Sequence, residues 1–311
     1  MRDDAGLGVF LSIVIANYNY GRFLEEAIQS VLSQSCQDFE LIVIDGGSTD
    51  NSVEVIKKYA KGLPAGTRRD DPSIVHLHLS PSPITYWVSE KDKGQSDAFN
   101  KGFSKAHGRF LTWLNADDIL MPGTLVALAD AACRHPGCHW FTGNYLQFLH
   151  EERIICFAPW GPHFMPGFMQ HRSAPLVIFG PTTFWSQEAY RKVGPLDISL
   201  HYSMDTDYWH RMKLAGYSSR RLNHTCWAFR MHDASKTAQY GDRPIDPTVR
   251  NRWHEELEIV HKKTGFRESL IRKQLGRLLR IFDGSAFVAI YRKIFIVGKG
   301  LNVTTNEKEK K

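Results

Sequence analysis

The sequence has no signal-peptide pattern, no internal repeat and only five cysteines in 311 residues. The apolar run Val9–Ala16 follows an acidic start and is far shorter than the ~20 residues a membrane helix needs. It is therefore expected to be a strand, with no leader peptide before it. Cys36, Cys133, Cys138, Cys156 and Cys226 are odd in number and irregularly spaced, which argues against a disulfide framework and for reduced thiols in a cytosol. The stretch from Cys133 to His139 has metal-ligand residue types, but Cys138 and His139 are adjacent at the start of a strand, which argues against a zinc site. Net positive charge is missing from the body. The net charge is +6, yet from His261 onward 13 Lys/Arg stand against 4 Asp/Glu, so residues 1–260 carry −3. That excludes a body-wide nucleic-acid surface and leaves a basic tail to meet something anionic.

A hydrophobic content of 42% is enough for a full core. Residues 10–16 are β-branched and apolar, a buried strand of the parallel type, and they end in the polar turn Asn17–Gly21. Apolar positions at 23, 24, 27, 28, 31 and 32 predict an amphipathic helix. A second strand over 39–44 runs into Asp45-Gly46-Gly47-Ser48-Thr49-Asp50, where Ser48 or Thr49 can cap a helix over 52–59. A strand over 74–79, a helix over 96–107 and a strand over 110–113 follow. Next come an antiparallel pair over 140–148 and 153–157, a Pro/Gly/His/Met-rich loop over 159–175, a strand over 180–185, and helices over 187–193 and 204–214. In such open α/β sheets ligands bind at the carboxyl ends of the strands.

Two features carry chemistry. The strand ending in Trp113-Leu114-Asn115-Ala116-Asp117-Asp118 places adjacent carboxylates at a sheet edge. Close carboxylates repel, and a hard cation such as Mg²⁺ or Mn²⁺ relieves them while keeping oxygens of a diphosphate and water in its shell. The bland alternative is a solvated turn before the helix near Pro122. Asp205 and Asp207 fall in the first turn of a helix, where the macrodipole favours negative charge, so N-capping is the alternative to chemistry there.

Six segments resemble, in the same order, the family-2 glycosyltransferases, inverting enzymes with the GT-A fold. They are ANYNYGRFLEEAIQSVLSQ, LIVIDGGSTDNS, SEKDKGQSDAFNKGF, LTWLNADD, PTTFW and MDTDYWHRM, within residues 8–235. The second and third look most like enzymes of bacterial polysaccharide and colanic-acid-type assembly. The resemblance implies an α/β GT-A (nucleotide-diphospho-sugar transferase) fold, with a mostly parallel central sheet flanked by helices. Its expected parts are a transferase domain over 1–245 and a basic helical C-terminal extension over 246–311. Within the domain, 8–120 would bind the nucleotide sugar and 121–245 the acceptor.

For single positions the resemblance implies that Ala16, Asn17 and Asp45 meet the donor nucleotide, that Asp92 and Gly94 line its pocket, and that Asn100 and Lys101 approach the sugar diphosphate. Asn115 and Asp117 belong to the DXD-like motif, with Asn where the motif has its first Asp. Asp117, Asp118 and His232 would hold Mg²⁺ or Mn²⁺, Asp118 most directly. Gly46 stands where many relatives have a second Asp, so one nucleotide contact is expected to be lost. Asp205 would be the catalytic base and Asp207 the fallback. The implied partners are a nucleotide sugar, UDP-linked in preference, and a glycan or lipid-linked acceptor, with no nucleic acid. The implied location is cytoplasmic, with the basic helical tail either on the inner membrane face or packed back on the body. Two rivals stand beside this reading. One is a non-catalytic nucleotide- or glycan-binding relative. The other is a nucleotidyltransferase, which would carry a glycine-rich loop and basic residue that ANYNYG does not match.

Overall fold

Every side chain of Leu11–Ile15 is buried, and so is every one of Leu41–Asp45, because both faces of these strands are covered. A computed structural model describes residues 9–70, 83–149, 155–158, 182–232, 234, 236 and 247–265. Strands β1 (Leu11–Asn17), β2 (Phe39–Asp45), β3 (Tyr86–Ser89) and β4 (Phe110–Asn115) form the parallel part of a nine-stranded sheet, in the order β3-β2-β1-β4. The sheet continues through β8 (Thr183–Ser186), β6 (Trp140–Leu149), β9 (Arg220–Met231) and β5 (Ile119–Leu120), with β7 (Ile155–Ala158) against β6. Pairing is antiparallel at β4–β8, β8–β6, β6–β7 and β9–β5, and parallel at β6–β9. One sheet thus runs through both expected halves.

Helices α1 (Gly21–Leu32), α2 (Ser52–Ala60), α3 (Gln95–Phe103), α4 (Thr124–Arg134), α5 (Gln187–Val193), α6 (Met204–Leu214) and α7 (Pro247–Thr264) complete the described elements. The apolar spacing of α1 buries Phe23, Leu24, Ala27, Ile28 and Val31, as the 3.6-residue period requires. On α3, Gly102 lets the helix approach β1 so closely that a Cβ there would sit 2.2 Å from Val14 Cγ1. Four tryptophans join the second half to the first. Trp209 of α6 stacks on Trp113 of β4 and on Trp140 of β6, each at 5.5 Å between ring centroids, and Trp185 of β8 meets Trp113 at 5.1 Å.

The turn after β2 departs from expectation. Ser48 does not cap α2 but donates to Asp45 Oδ1, while Asp50 Oδ1 accepts from Ser52 N at 3.0 Å. The helix expected over 96–107 is shorter, ending at Phe103. The strand expected over 74–79, the loop over 159–175 and the basic segment from 266 onward lie outside the described residues.

Candidate active site

The carboxyl ends of β1 and β4, the turns after β2 and β3 and the start of α6 surround a cleft of about 670 Å³. At this edge β8 pairs with β4 at Phe110 and Leu111, and β4 leads on into Asn115–Asp118. Ala16, Asn17, Asp92, Gly94, Asn115, Asp117 and Asp205 of the expected site all line this cleft. The two acidic centres therefore face one space.

The neighbouring carboxylates of β4 have different surroundings. Asp117 lines the cleft, and its Oδ2 lies 3.0 Å from His232 Nε2. The His232 ring is held edge-on to Tyr20 at 5.4 Å and tilted on Phe23 at 4.5 Å. Burial and the nearby Asp117 charge push the Tyr20 phenol up to about 12. Asp118, expected to be the most direct metal ligand, is instead fully buried and does not line the cleft. Its Oδ1 accepts from Arg230 N at 2.9 Å and its Oδ2 from Asn115 Nδ2 at 2.8 Å. Burial, and then the charge of Asp117, raise its pKa well above the usual carboxylate range.

Among the described residues no group of three or more His, Cys, Asp and Glu side chains is placed to hold a metal. Asp117 with His232 is nevertheless a donor pair suited to Mg²⁺ or Mn²⁺, ions that take one or two protein ligands and complete their shell with phosphate oxygens and water. The pair fits such an ion only together with a diphosphate.

The asparagine of the DXD-like motif has a structural reason. Lys236 Nζ donates to Gln95 Oε1 at 3.0 Å, Gln95 Nε2 to Asn115 Oδ1 at 2.8 Å, and Asn115 Nδ2 to Asp118 Oδ2. Donor and acceptor alternate from an ammonium to a carboxylate, which fixes both amide orientations. An aspartate at 115 would place a third acid at the closed end of that chain. Lys236 lines the cleft and is not among the residues expected from the sequence, whereas Lys101 is. Lys101 Nζ instead lies 2.8 Å from Glu90 and does not line the cleft. Burial of Lys236 lowers its pKa to about 8.

Asp45 and Asn100 support the cleft without lining it, and Gly46 lines it. Asp45 is fully buried and accepts from Asn17 Nδ2 at 2.7 Å, from Ser48 N and from Ser89 Oγ. That arrangement leaves Asn17 Oδ1 as a buried acceptor without a hydrogen-bond partner among the described residues. Asn100 exchanges two hydrogen bonds with the backbone of Leu196, at 2.9 and 2.8 Å. Gly46 leaves room for Asp92: a Cβ at 46 would lie 2.5 Å from Asp92 Oδ2, so the Asp92 carboxylate fills the space a second acid of the β2 turn would need.

On α6 the two acids separate as well. Asp205 lines the cleft, and burial raises its pKa. Asp207 is fully buried and paired with Arg211 Nε at 2.7 Å and Lys263 Nζ at 3.0 Å. It is part of the packing and is not placed to meet a ligand.

This sheet, with a carboxylate-lined cleft at its strand ends, is an α/β architecture of the ligand-binding kind. The family model described as Glycosyl transferase family 2 matches residues 12–192, and the chain belongs to that family. It is 34% identical over 199 residues to a PGL/p-HBAD biosynthesis glycosyltransferase of Mycobacterium bovis, covering 63% of this chain and 67% of that one. Other curated glycosyltransferase relatives are longer, and the match spans 37% to 45% of their length. Among solved structures it resembles a mannosyltransferase from Pyrobaculum calidifontis in complex with GDP-Man and Mn²⁺, with a TM-score of 0.52 at 14% identity over 94% of this chain and 89% of that one. It also resembles TarS residues 1–349 of S. aureus in complex with UDP-GlcNAc, with a TM-score of 0.51 at 13% identity over 73% and 60%. These likenesses establish the GT-A fold.

Proposed function

We propose that the chain transfers a sugar from a nucleotide diphosphate to an acceptor hydroxyl in one inverting, metal-dependent displacement. The observation that carries this reading is that Asp117 and Asp205 line the same cleft. The Asp92 carboxylate offers an acceptor for an N–H group of a base, and a UDP-sugar is the favoured donor. Lys236 and the Asp117–His232 pair stand where a diphosphate would lie. A divalent ion held by that pair supplies charge neutralisation to the diphosphate oxygens. Asp205 takes the proton of the acceptor hydroxyl as its oxygen bonds to the anomeric carbon. The bond from that carbon to the diphosphate breaks on the opposite face, its electron pair leaves with the nucleotide, and Lys236 meets the new charge.

The acceptor is a growing surface glycan or its lipid-linked precursor, which places the enzyme in the cytoplasm with its basic tail on the inner membrane face. No helix among the described residues is long and apolar enough to cross a membrane. The test is Asp205→Asn. Transfer from UDP-GlcNAc, UDP-glucose or GDP-mannose with Mn²⁺ should fall about 10²–10⁴-fold, the usual contribution of a general base. UDP binding by calorimetry should be unchanged, and full transfer by the variant would move the base elsewhere.

A further inference from the structure

Helix α7 lies beyond the residues that match the family model, yet it reaches the base-bearing helix at three places. Glu256 is buried, and its carboxylate accepts three consecutive backbone N–H groups: Oε1 from His201 at 2.9 Å, and Oε2 from Tyr202 at 2.6 Å and Ser203 at 3.0 Å. Lys263 Nζ reaches Asp207 Oδ1 at 3.0 Å and Asp197 Oδ2 at 2.8 Å. Thr264 Oγ1 lies 3.2 Å from His210 Nδ1.

The first of these contacts is the one that bears on the cleft. Ser203 is the N-cap of α6 but makes no side-chain cap bond, so the turn entering the helix has no cap of its own. Among the described residues Arg252 of the same helix pairs with the Glu256 carboxylate, its Nε 3.7 Å away, and Lys236 and His201 lie close enough to feel its charge. Three N–H groups converging on a buried carboxylate fix the path of residues 201–203, and Asp205 follows two residues later. His201, Tyr202 and Asp205 all line the cleft. A carboxylate before the first turn of α6 also suits the helix dipole.

We propose that Glu256 is a positioning residue for the transfer reaction, holding the 201–203 turn so that Asp205 faces the acceptor hydroxyl. This rests on the reading of Asp205 as the base. It assigns to the helix after the family's matched region a direct part in setting the reaction geometry. Lys236 Nζ is anchored to Gln95 at 3.0 Å and reaches the His201 carbonyl at 3.4 Å, and the Glu256 charge helps to keep it protonated, so donor binding is measured well below the pKa of Lys236.

The experiment compares wild type, Glu256→Gln, Glu256→Ala and Asp205→Asn as full-length chains. Hydrogen exchange measures the amides of Tyr202 and Ser203, calorimetry measures UDP affinity with Mn²⁺, and kcat is taken for hydrolysis of whichever of UDP-GlcNAc, UDP-glucose and GDP-mannose is fastest. In Glu256→Ala those amides should lose protection and kcat should fall on the order of a hundredfold, the scale of an ångström-size misplacement. At about pH 6.5, where Lys236 stays protonated, UDP affinity should hold within about threefold, since no donor contact is removed. Glu256→Gln keeps one acceptor oxygen and should fall between wild type and Ala in both exchange and kcat.

Unchanged amide protection in Glu256→Ala overturns the brace. Exposed amides with wild-type kcat, while Asp205→Asn is inactive, overturn the positioning role and leave the base assignment intact. Wild-type kcat in Asp205→Asn sinks the base assignment itself, whatever Glu256 does.

Discussion

Lys236 is where pH enters the cleft. Its burial lowers the ammonium pKa to about 8, and the protonated form is the one that attracts a diphosphate. The charged fraction in the free protein therefore falls as pH rises through that value, from roughly nine-tenths one unit below to one-tenth one unit above. UDP affinity should drop on the order of tenfold between pH 7 and pH 9, with the UDP phosphates ionised throughout, and Lys236→Met should flatten that dependence. Calorimetric titrations at the two pH values decide it, and a flat wild-type profile would remove Lys236 from the diphosphate site. The sequence pointed to Lys101 instead because α3 carries a motif the family places near the donor. Only the first turn of α3 reaches the cleft, through Gln95 and Ala98. Lys101 is six residues past Gln95, about 9 Å farther along a helix rising 1.5 Å per residue. Residue type was legible; distance along the helix was not. The same holds for Asp117 and Asp118, adjacent in sequence, of which one lines the cleft and the other accepts from the β9 backbone.

At the scale of elements, strong periodicity made most of the fold readable. Helices over Gln187–Val193 and Met204–Leu214 were expected at their observed limits, and β1, α1 and β2 within a few residues. The 12-residue strand β9 escaped because its first half is polar and partly exposed, with Leu222 its one buried side chain before the continuous buried run from Cys226 to Arg230. Two-residue β5 is set by its pairing with Trp227 and Ala228, which no local pattern encodes. Helix α7 divides the C-terminal part of the chain into two roles. Through Thr264 it packs on α6, so a truncation starting at Pro247 removes Glu256 and Lys263 and should abolish transfer. Beyond it, residues 266–311 hold 11 Lys/Arg against 4 Asp/Glu, a charge suited to an anionic lipid surface. Deleting only 266–311 should leave UDP affinity unchanged and end co-sedimentation with phosphatidylserine-containing liposomes. Undiminished pelleting of the shortened chain would reject the membrane role.

At the scale of the whole molecule, the turn after β4 is one of the places where the two parts of the sheet are fastened together. Asp118 Oδ1 accepts from Arg230 N at 2.9 Å, and the Asp117 carbonyl accepts from Arg230 Nε at 2.8 Å, so the turn after β4 is bonded to β9. Arg230 is itself buried, stacked over Phe23 of α1 at 5.0 Å and Phe148 of β6 at 4.5 Å, and paired with Glu26. The same turn thus joins the parallel strands, the mixed strands and the first helix while presenting Asp117 to the cleft. Substituting each acid should separate stability from chemistry. Asp118→Ala removes the acceptor of a buried N–H, a loss of about 1–3 kcal/mol. For a chain of this size that lowers Tm by several degrees, at roughly 2–4 °C per kcal/mol. Asp117→Asn keeps the backbone bond, the side-chain volume and an oxygen acceptor beside His232, so it should lower Tm less than Asp118→Ala does. What it should lose is the Mn²⁺-dependent tightening of UDP binding, since a neutral amide is a poor ligand for a hard cation. Calorimetry with and without Mn²⁺, beside thermal melts of both variants, reads the two effects separately. If Asp118→Ala instead melted like wild type and abolished the metal effect, Asp118 would be the ligand, and the turn would have to reorganise around a bound nucleotide.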